Sequence, residues 1–447
     1  MTKPLLKLKW QGSRFNRLSE GEQGEIVLHN SYAGALARYI GPEAETVRAL
    51  LKHGLDGAPT GVAAELAFNG FLVPEAADEI VMADDLHRQE HARRDAFELI
   101  LMPNENCNFR CVYCYESFLH NKMLRPVIDG VLRFAENRIA DLDELTVGWF
   151  GGEPLTAPEI IEEISTHLRS LCAAHDVAYF SSMVTNGYLL DEKMADMLMR
   201  AEVRQFQITL DGPKEHHDRL RLLGNRRDGT FDRIFENLMA LTRRDDQFDV
   251  VVRVNFDQNS SADIEPFVAE LNVALADDAR FYLDFHPVGQ WGGPNDERLM
   301  PCDASNGRES RALFFDRARR EGFDLRNLRQ RLRPNGAACY AANPNSVVIG
   351  SNGTVYKCTV AFEDERNHVG RIDETGDLNL DEERLALWVS DPENLDAGCT
   401  SCHFRPSCRG DACPWARIRT GQTHCPSDQI NIDKILQVLA QEAVAEG

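Results

Sequence analysis

No cysteine occurs in the first 106 residues of this 447-residue chain, although the whole sequence holds 12. No segment reaches roughly 18 uninterrupted apolar residues, which excludes a membrane-spanning helix. The stretch from Met1 to Phe15 has no apolar run of signal-peptide length, so no secretory address is expected. Basic residues are in deficit: 49 Lys and Arg stand against 71 Asp and Glu, a net charge of −22. Binding to phosphate backbones or anionic lipid rests on clustered Lys and Arg, so neither nucleic acid nor a membrane is expected as the main partner. Low-complexity segments and short internal repeats are also lacking. What is present, 43% hydrophobic and 27% charged residues, suffices for one large or two to three ordinary domains and is too apolar for a disordered chain.

The cysteines need an explanation other than disulfides, which suit small secreted domains. In a large chain without a signal peptide they point to a reduced, cytoplasmic protein whose thiols hold metal. Seven of the 12 fall between Cys339 and Cys425, and this skew divides the chain. Residues 1–92 combine a short apolar stretch from Glu25 to His29 with helix-like spacing through Ala33, Leu36, Ile40, Val47, Leu50 and Leu51, the pattern of a small α/β module. From residue 96, short apolar runs alternate with amphipathic helical stretches. The runs are Phe97 to Leu101, Leu145 to Phe150, Tyr179 to Val184, Gln205 to Leu210, Val250 to Phe256 and Phe281 to Phe285. The helical stretches are Pro126 to Ile139, Ile160 to His175, Asp191 to Ala201, Phe231 to Arg243 and Ile264 to Ala276. Strand-like runs with a helix after each of the first five predict a parallel sheet with right-handed crossovers. An open doubly wound sheet and a partial barrel both satisfy that pattern, and in either the functional residues gather where strands end.

After the first strand comes Cys107-Asn-Phe-Arg-Cys111-Val-Tyr-Cys114. Three thiolates grip one metal centre and leave a coordination position open, as an iron-sulfur cluster with a free iron does; a zinc knuckle completed by a histidine such as His120 is the alternative. The second strand ends in Gly151-Gly152-Glu153-Pro154. Paired glycines let backbone approach a ligand, and the glutamate is an acceptor for an ammonium group; an ordinary turn before a helix reads the same way.

The three-cysteine spacing followed by a GGEP turn resembles the radical S-adenosylmethionine (SAM) enzymes, over roughly residues 96–290. The resemblance implies a partial (β/α)6 TIM-like barrel, a [4Fe-4S] cluster on Cys107, Cys111 and Cys114, and SAM bound at the free iron. One electron then cleaves the sulfonium and yields a 5′-deoxyadenosyl radical. It further implies that Gly151, Gly152 and Glu153, with Pro154, receive the SAM amino group. Thr185, Asn186, Thr209 and Asp211 would reach the ribose and methionine portions, Arg221 the SAM carboxylate, and Tyr113 the adenine. Asn186 and Asp211 also have plain turn explanations. No residue is assigned to the chemical step itself.

The C-terminal set, Cys339, Cys358, Cys399, Cys402, Cys408, Cys413 and Cys425, exceeds the needs of one tetrahedral ion and nearly fills two four-thiolate sites, structural zincs included. Read with the upstream motif it resembles the SPASM extension, a Cys-rich domain with two auxiliary [4Fe-4S] clusters. By that resemblance Cys339, Cys358 and Cys413 serve an inner cluster, and Cys399, Cys402, Cys408 and Cys425 an outer one. Cys408 and Cys413 are separated by four residues where three is usual. The inner set lacks an evident fourth thiol: Cys302 supplies it, or an iron stays open. Cys172, on an apolar helix face, reads as a core residue. The expected domains are 1–92, a leader-binding-like or cap domain; 93–300, the barrel; 301–335, a helical connection; and 336–447, the SPASM domain.

Enzymes of this architecture mainly modify peptides, so the resemblance implies a maturase that takes hydrogen from a ribosomally made precursor peptide, bound through its leader, and installs a thioether or carbon-carbon crosslink. An external flavodoxin or ferredoxin would supply electrons. Sulfatase or quinohemoprotein-type maturation is the competing enzyme reading; in sulfatase maturases an aspartate follows the Gly-x4-Cys cysteine, whereas Thr359 follows Cys358 here. A zinc-rich binding protein without redox chemistry is the alternative of another class.

Overall fold

The computed structural model describes residues 8–21, 24–224, 228–389 and 397–442. The expectation of no signal peptide therefore falls partly on residues 1–7, outside the described residues. Among the described residues no helix is long and apolar enough to cross a membrane.

The chain forms two compact units, one of residues 93–325 and 343–389, the other of residues 1–92, 326–342 and 390–447. The smaller unit opens with strands β1 (Lys9–Gly12), β2 (Asn16–Glu20), β3 (Ile26–Asn30) and β4 (Ala35–Tyr39), then helix α1 (Gly41–His53), β5 (Leu55–Asp56), α2 (Val62–Phe68), β6 (Leu72–Pro74) and α3 (Glu79–Ala92). Two three-stranded antiparallel sheets result, β2-β3-β4 and β5-β1-β6. Ile26 and Leu28, alternate residues of β3, pack with Tyr39, Val47, Leu66 and Phe71 in one core. The expected small α/β module is present.

The larger unit holds the strand and helix alternation read from the sequence. Strands β7 (Ala96–Asn104), β8 (Glu144–Gly151), β9 (Ala178–Thr185), β10 (Gln205–Thr209), β11 (Asp249–Phe256) and β12 (Phe281–Pro287) lie in that order, each parallel to the next. Helices α4 (Arg125–Arg138), α5 (Pro158–His175), α6 (Glu192–Arg200), α7 (Lys214–Leu220), α8 (Phe231–Thr242) and α9 (Ser261–Leu271) fill the crossovers. Among the described residues the order of these six strands never reverses and shows no switch point; this is the singly wound arrangement of a partial barrel rather than a doubly wound sheet. In α5, Ile160, Ile161, Ile164, Leu168 and Cys172 are buried at helical spacing, and Pro158 begins the helix. Cys172 is thus a core residue.

Beyond the barrel the structure draws its boundaries differently from the sequence. After α10 (Ala304–Arg320), strand β13 (Ser346–Ile349) pairs in parallel with β7, and β14 (Thr354–Tyr356), β15 (His368–Ile372) and β16 (Leu378–Leu380) continue the same sheet in antiparallel fashion. Residues 343–389, expected with the C-terminal cysteine domain, are part of the barrel unit for that reason.

Candidate active site

The carboxyl ends of the parallel strands surround a cavity of about 220 Å³ lined by all three thiols of the first cluster, Cys107, Cys111 and Cys114. These cysteines sit on the loop that leaves β7. The loop is held on both sides by backbone. On one side Arg110 N–H donates to the Leu222 carbonyl at 2.8 Å, Val112 N–H to Leu220 at 2.9 Å, and Gly224 N–H to Asn108 at 2.7 Å. On the other, Gly152 N–H donates to Asn104 and Glu153 N–H to Asn106, both at 3.2 Å. Glu105 accepts from the Ser351 amide and hydroxyl, each at 2.7 Å, which anchors the loop base to the turn after β13.

This packing explains the two glycines of GGEP. A Cβ on Gly151, whose φ is +126°, would stand 2.4 Å from the Asn104 carbonyl oxygen. A Cβ on Gly152 would meet the Asn106 carbonyl at 2.6 Å. The close approach that glycine permits is to the cysteine loop itself. Glu153 is fully buried, and its carboxylate accepts from Leu155 N–H at 3.0 Å, Thr185 Oγ1 at 2.8 Å and Asn186 N–H at 2.8 Å. Its side chain therefore ties β8 to β9, and it is the backbone of Gly151 and Gly152 that lines the cavity. Pro154 begins the short helical turn Pro154–Thr156 that follows. Thr185 and Asn186 line the cavity beside Cys107, and Asn186 Nδ2 donates to Asn108 Oδ1 at 2.8 Å.

Burial raises all three thiols, that of Cys114 to about 12. A thiol ligand must be deprotonated, so this cavity holds neutral thiols until a metal centre supplies the positive charge. Phe109 N–H points at Cys107 Sγ from 3.3 Å, a contact suited to the metallated sulfur. His120, the alternative fourth ligand, faces Asn352, with Nε2 3.2 Å from Asn352 Nδ2, and is not among the residues lining the thiol cavity. The donor set fits an iron-sulfur cluster.

Tyr113, Asp211 and Arg221 meet at the rear of the loop. The Tyr113 hydroxyl donates to Asp211 Oδ2, and Arg221 Nη1 donates to the Tyr113 oxygen at 2.7 Å. Asp211 Oδ1 accepts from Asn255 N–H at 2.9 Å, so the fully buried carboxylate bridges β10 and β11. Arg221 and Tyr113 line the cavity along with Thr209; Asp211 does not. The wall facing the thiols contains Gln207, Arg253, Asn255, His286 and Trp291, none of which the sequence singled out. Alternation along β10, β11 and β12 is the signal that could have found Gln207, Arg253, Asn255 and His286, half-buried positions that alternate with or flank the buried Phe206, Ile208, Val252, Val254, Phe256 and Phe285; Trp291, in the loop after β12, has no such signal. Burial, reinforced by Arg253, draws the His286 imidazole down to about 3, so it is neutral at physiological pH.

Of the C-terminal cysteines, four come together in the smaller unit. Burial, with a smaller push from the neighbouring Cys402, Cys399 and Cys425, raises the Cys408 thiol to about 12. Cys339 N–H donates to the Asp411 carbonyl at 2.9 Å, which places it beside the loop between Cys408 and Cys413, and Cys413 Sγ accepts from Ala416 N–H at 3.4 Å. Cys358 is buried in the larger unit, where Asn367 Oδ1 accepts from its N–H at 2.9 Å. Cys302 precedes α10 in the same unit, close to Gly307 and Pro287.

Residues 101–254 match the family described as the Radical SAM superfamily. These residues form a radical SAM domain. The protein is an enzyme with the mixed α/β radical SAM fold, and that domain implies a [4Fe-4S] cluster and SAM. A cysteine-type anaerobic sulfatase-maturating enzyme of Clostridium novyi is 24% identical over 336 residues, 70% of this chain and 86% of the relative. A GTP 3′,8-cyclase of Microcystis aeruginosa is 33% identical over 144 residues, 31% of this chain and 41% of that protein. Among solved structures, native anSMEcpe with bound AdoMet and Cp18Cys peptide has the same fold, with a TM-score of 0.57 at 17% identity, covering 78% of this chain and 98% of that one. The radical SAM match runs from within β7 to within β11 and so includes Cys107, Cys111 and Cys114 and the residues expected to contact SAM up to Arg221; the seven C-terminal cysteines lie outside it.

Proposed function

We propose that this radical SAM enzyme is a peptide maturase with two auxiliary clusters, acting on a ribosomally made precursor to form a thioether or carbon-carbon crosslink. The observation that carries the reading is the single cavity in which three thiols face Arg253, His286 and Trp291 across the carboxyl ends of the strands. When bound, the cluster and SAM supply a 5′-deoxyadenosyl radical that takes hydrogen from the substrate. Cys107, Cys111 and Cys114 hold the iron, the Gly151 and Gly152 backbone with Arg221 hold the amino and carboxylate groups of SAM, and Tyr113, Thr185, Asn186 and Thr209 its remaining parts. Glu153 and Asp211 orient these groups from beneath. Arg253 and the neutral His286 offer a cationic and a neutral hydrogen-bonding group to a peptide backbone, and Trp291 an apolar face. Cys399, Cys402, Cys408 and Cys425 hold the outer auxiliary cluster, and the inner one, to which Cys339 and Cys413 contribute, accepts the electron released on crosslinking. The peptide bound to anSMEcpe supports a polypeptide substrate.

Among the described residues of the smaller unit β4 pairs with β3 alone, so a precursor leader has an edge to extend by strand addition. A flavodoxin or ferredoxin delivers the reducing electron. Formylglycine formation, suggested by the sulfatase-maturating relative, is disfavoured because Thr359 has no basic oxygen comparable to a carboxylate. The test is anaerobic turnover with SAM, reductant and peptides encoded beside the gene, read by mass spectrometry. Loss of a hydrogen pair with sulfur retained supports crosslinking; loss of sulfur from a cysteine, or conversion of serine to an aldehyde, overturns it in favour of sulfatase-type chemistry.

A further inference from the structure

Apart from the cysteine clusters, the described residues bring together His87, His91 and Asp411, whose donor atoms all lie within 4.8 Å of one another. His87 and His91 are four residues apart on α3, on one face, with ring centroids 4.2 Å apart. Asp411 lies in the loop between Cys408 and Cys413. Its N–H donates to the Cys408 carbonyl at 2.7 Å, and Arg409 and Gly410 both adopt left-handed backbone, φ +56° and +81°, which turns the loop back so tightly. Asp411 is fully buried, yet neither carboxylate oxygen has a hydrogen-bond partner among the described residues. A buried carboxylate without partners is costly unless a cation joins it. All three side chains belong to the smaller unit.

We propose that His87, His91 and Asp411 bind one divalent transition-metal ion of the zinc class, distinct from the iron-sulfur centres. Two imidazoles and a carboxylate are a borderline donor set that suits zinc or cobalt and, with an open position, ferrous iron. Bonds of about 2 Å require donors about 3.3 Å apart, so the side chains close by rotation on binding. The ion fastens α3 to the loop that carries Cys408 and Cys413. The competing cations are Arg417, whose charge also reaches Asp411, and Arg409, buried, with Nη1 3.5 Å from His87 Nδ1. That distance is at the limit of a hydrogen bond, and the guanidinium must turn away when the metal enters.

The test is equilibrium binding of Co2+ to the anaerobic holoenzyme, its clusters already assembled, followed by absorption and metal analysis. The site takes about one Co2+ per chain, with ligand-field bands and no thiolate-to-metal charge transfer. Asp411→Asn and the half-buried His91→Ala each weaken binding about a hundredfold, at least the loss that removing an outer-shell partner produces, with iron content unchanged. Arg409→Met tightens it. Thiolate charge transfer, binding indifferent to Asp411→Asn and His91→Ala, or no Co2+ uptake by either the unaltered holoenzyme or Arg409→Met would overturn the proposal. In the last case the group is an ion-pair node in which Arg409 balances Asp411.

Discussion

Gly152 and Asn106 are in backbone contact: a Cβ at Gly152 would lie 2.6 Å from the Asn106 carbonyl. The GGEP turn and the residue before Cys107 are therefore one packed unit. Gly152→Ala forces backbone apart and destabilises by about 1–3 kcal/mol, the usual effect of overpacking. Anaerobic thermal unfolding should show the midpoint lowered by roughly 2–4 °C per kcal/mol. Cluster iron and SAM cleavage fall together, because the displaced segment carries the ligands.

Tyr113 joins Asp211 to Arg221. In Tyr113→Phe the hydroxyl disappears, leaving the guanidinium and the fully buried carboxylate 3.8 Å apart without their bridge. Hydrogen bonds to charged groups contribute about 1.5–3 kcal/mol, so SAM affinity is expected to weaken roughly tenfold or more. Iron content is unchanged, which equilibrium dialysis with labelled SAM beside iron analysis will show.

Acid sensitivity has a source in the smaller unit. Burial pulls the His29 imidazole from 6.5 down to about 4, and its Nε2 lies 3.1 Å from the Leu332 carbonyl. The unfolded chain binds the proton first, so the stability His29 contributes is intact above pH 6.5 and is lost as pH falls from 6.5 towards 4. The limiting slope for one such group is about 1.4 kcal/mol per pH unit. His29→Gln, which keeps a donor to Leu332, should flatten the unfolding midpoint against pH across this window.

Cys408 sits among Cys399, Cys402 and Cys425. Cys408→Ser is expected to remove about four irons per chain, one [4Fe-4S] cluster, while SAM cleavage without peptide continues. Crosslinked product should fall much further than deoxyadenosine formation, a split that parallel chromatography of both products measures.

The barrel was legible because each of its strands is a short apolar run bounded by polar residues and followed by a helix, and β8 and β11 show the alternation directly. The cysteine motif and GGEP were legible as residue types at fixed spacing. What stayed hidden depends on long-range pairing. Ser346 to Ile349 reads as an apolar stretch of the cysteine domain, yet it pairs with β7, hundreds of residues earlier in the chain, and carries residues 343–389 into the barrel unit. The pairing of residues 220–224 with the cysteine loop likewise has no local signature, and it is what brings Arg221 to Tyr113. In sequence, Glu153 presents an acceptor for an ammonium group. Only the fold reveals three donors converging on it, Leu155 from the turn after β8 and Thr185 and Asn186 from the end of β9.

The central claim is radical chemistry at Cys107, Cys111 and Cys114, and the most direct measurement is deoxyadenosine formation by the anaerobically reconstituted enzyme beside its triple alanine variant. The account predicts about twelve irons per chain, reductive SAM cleavage, and in the variant about four fewer irons with cleavage abolished. Iron and sulfide near zero with zinc bound instead, or undiminished deoxyadenosine from the variant, would contradict it.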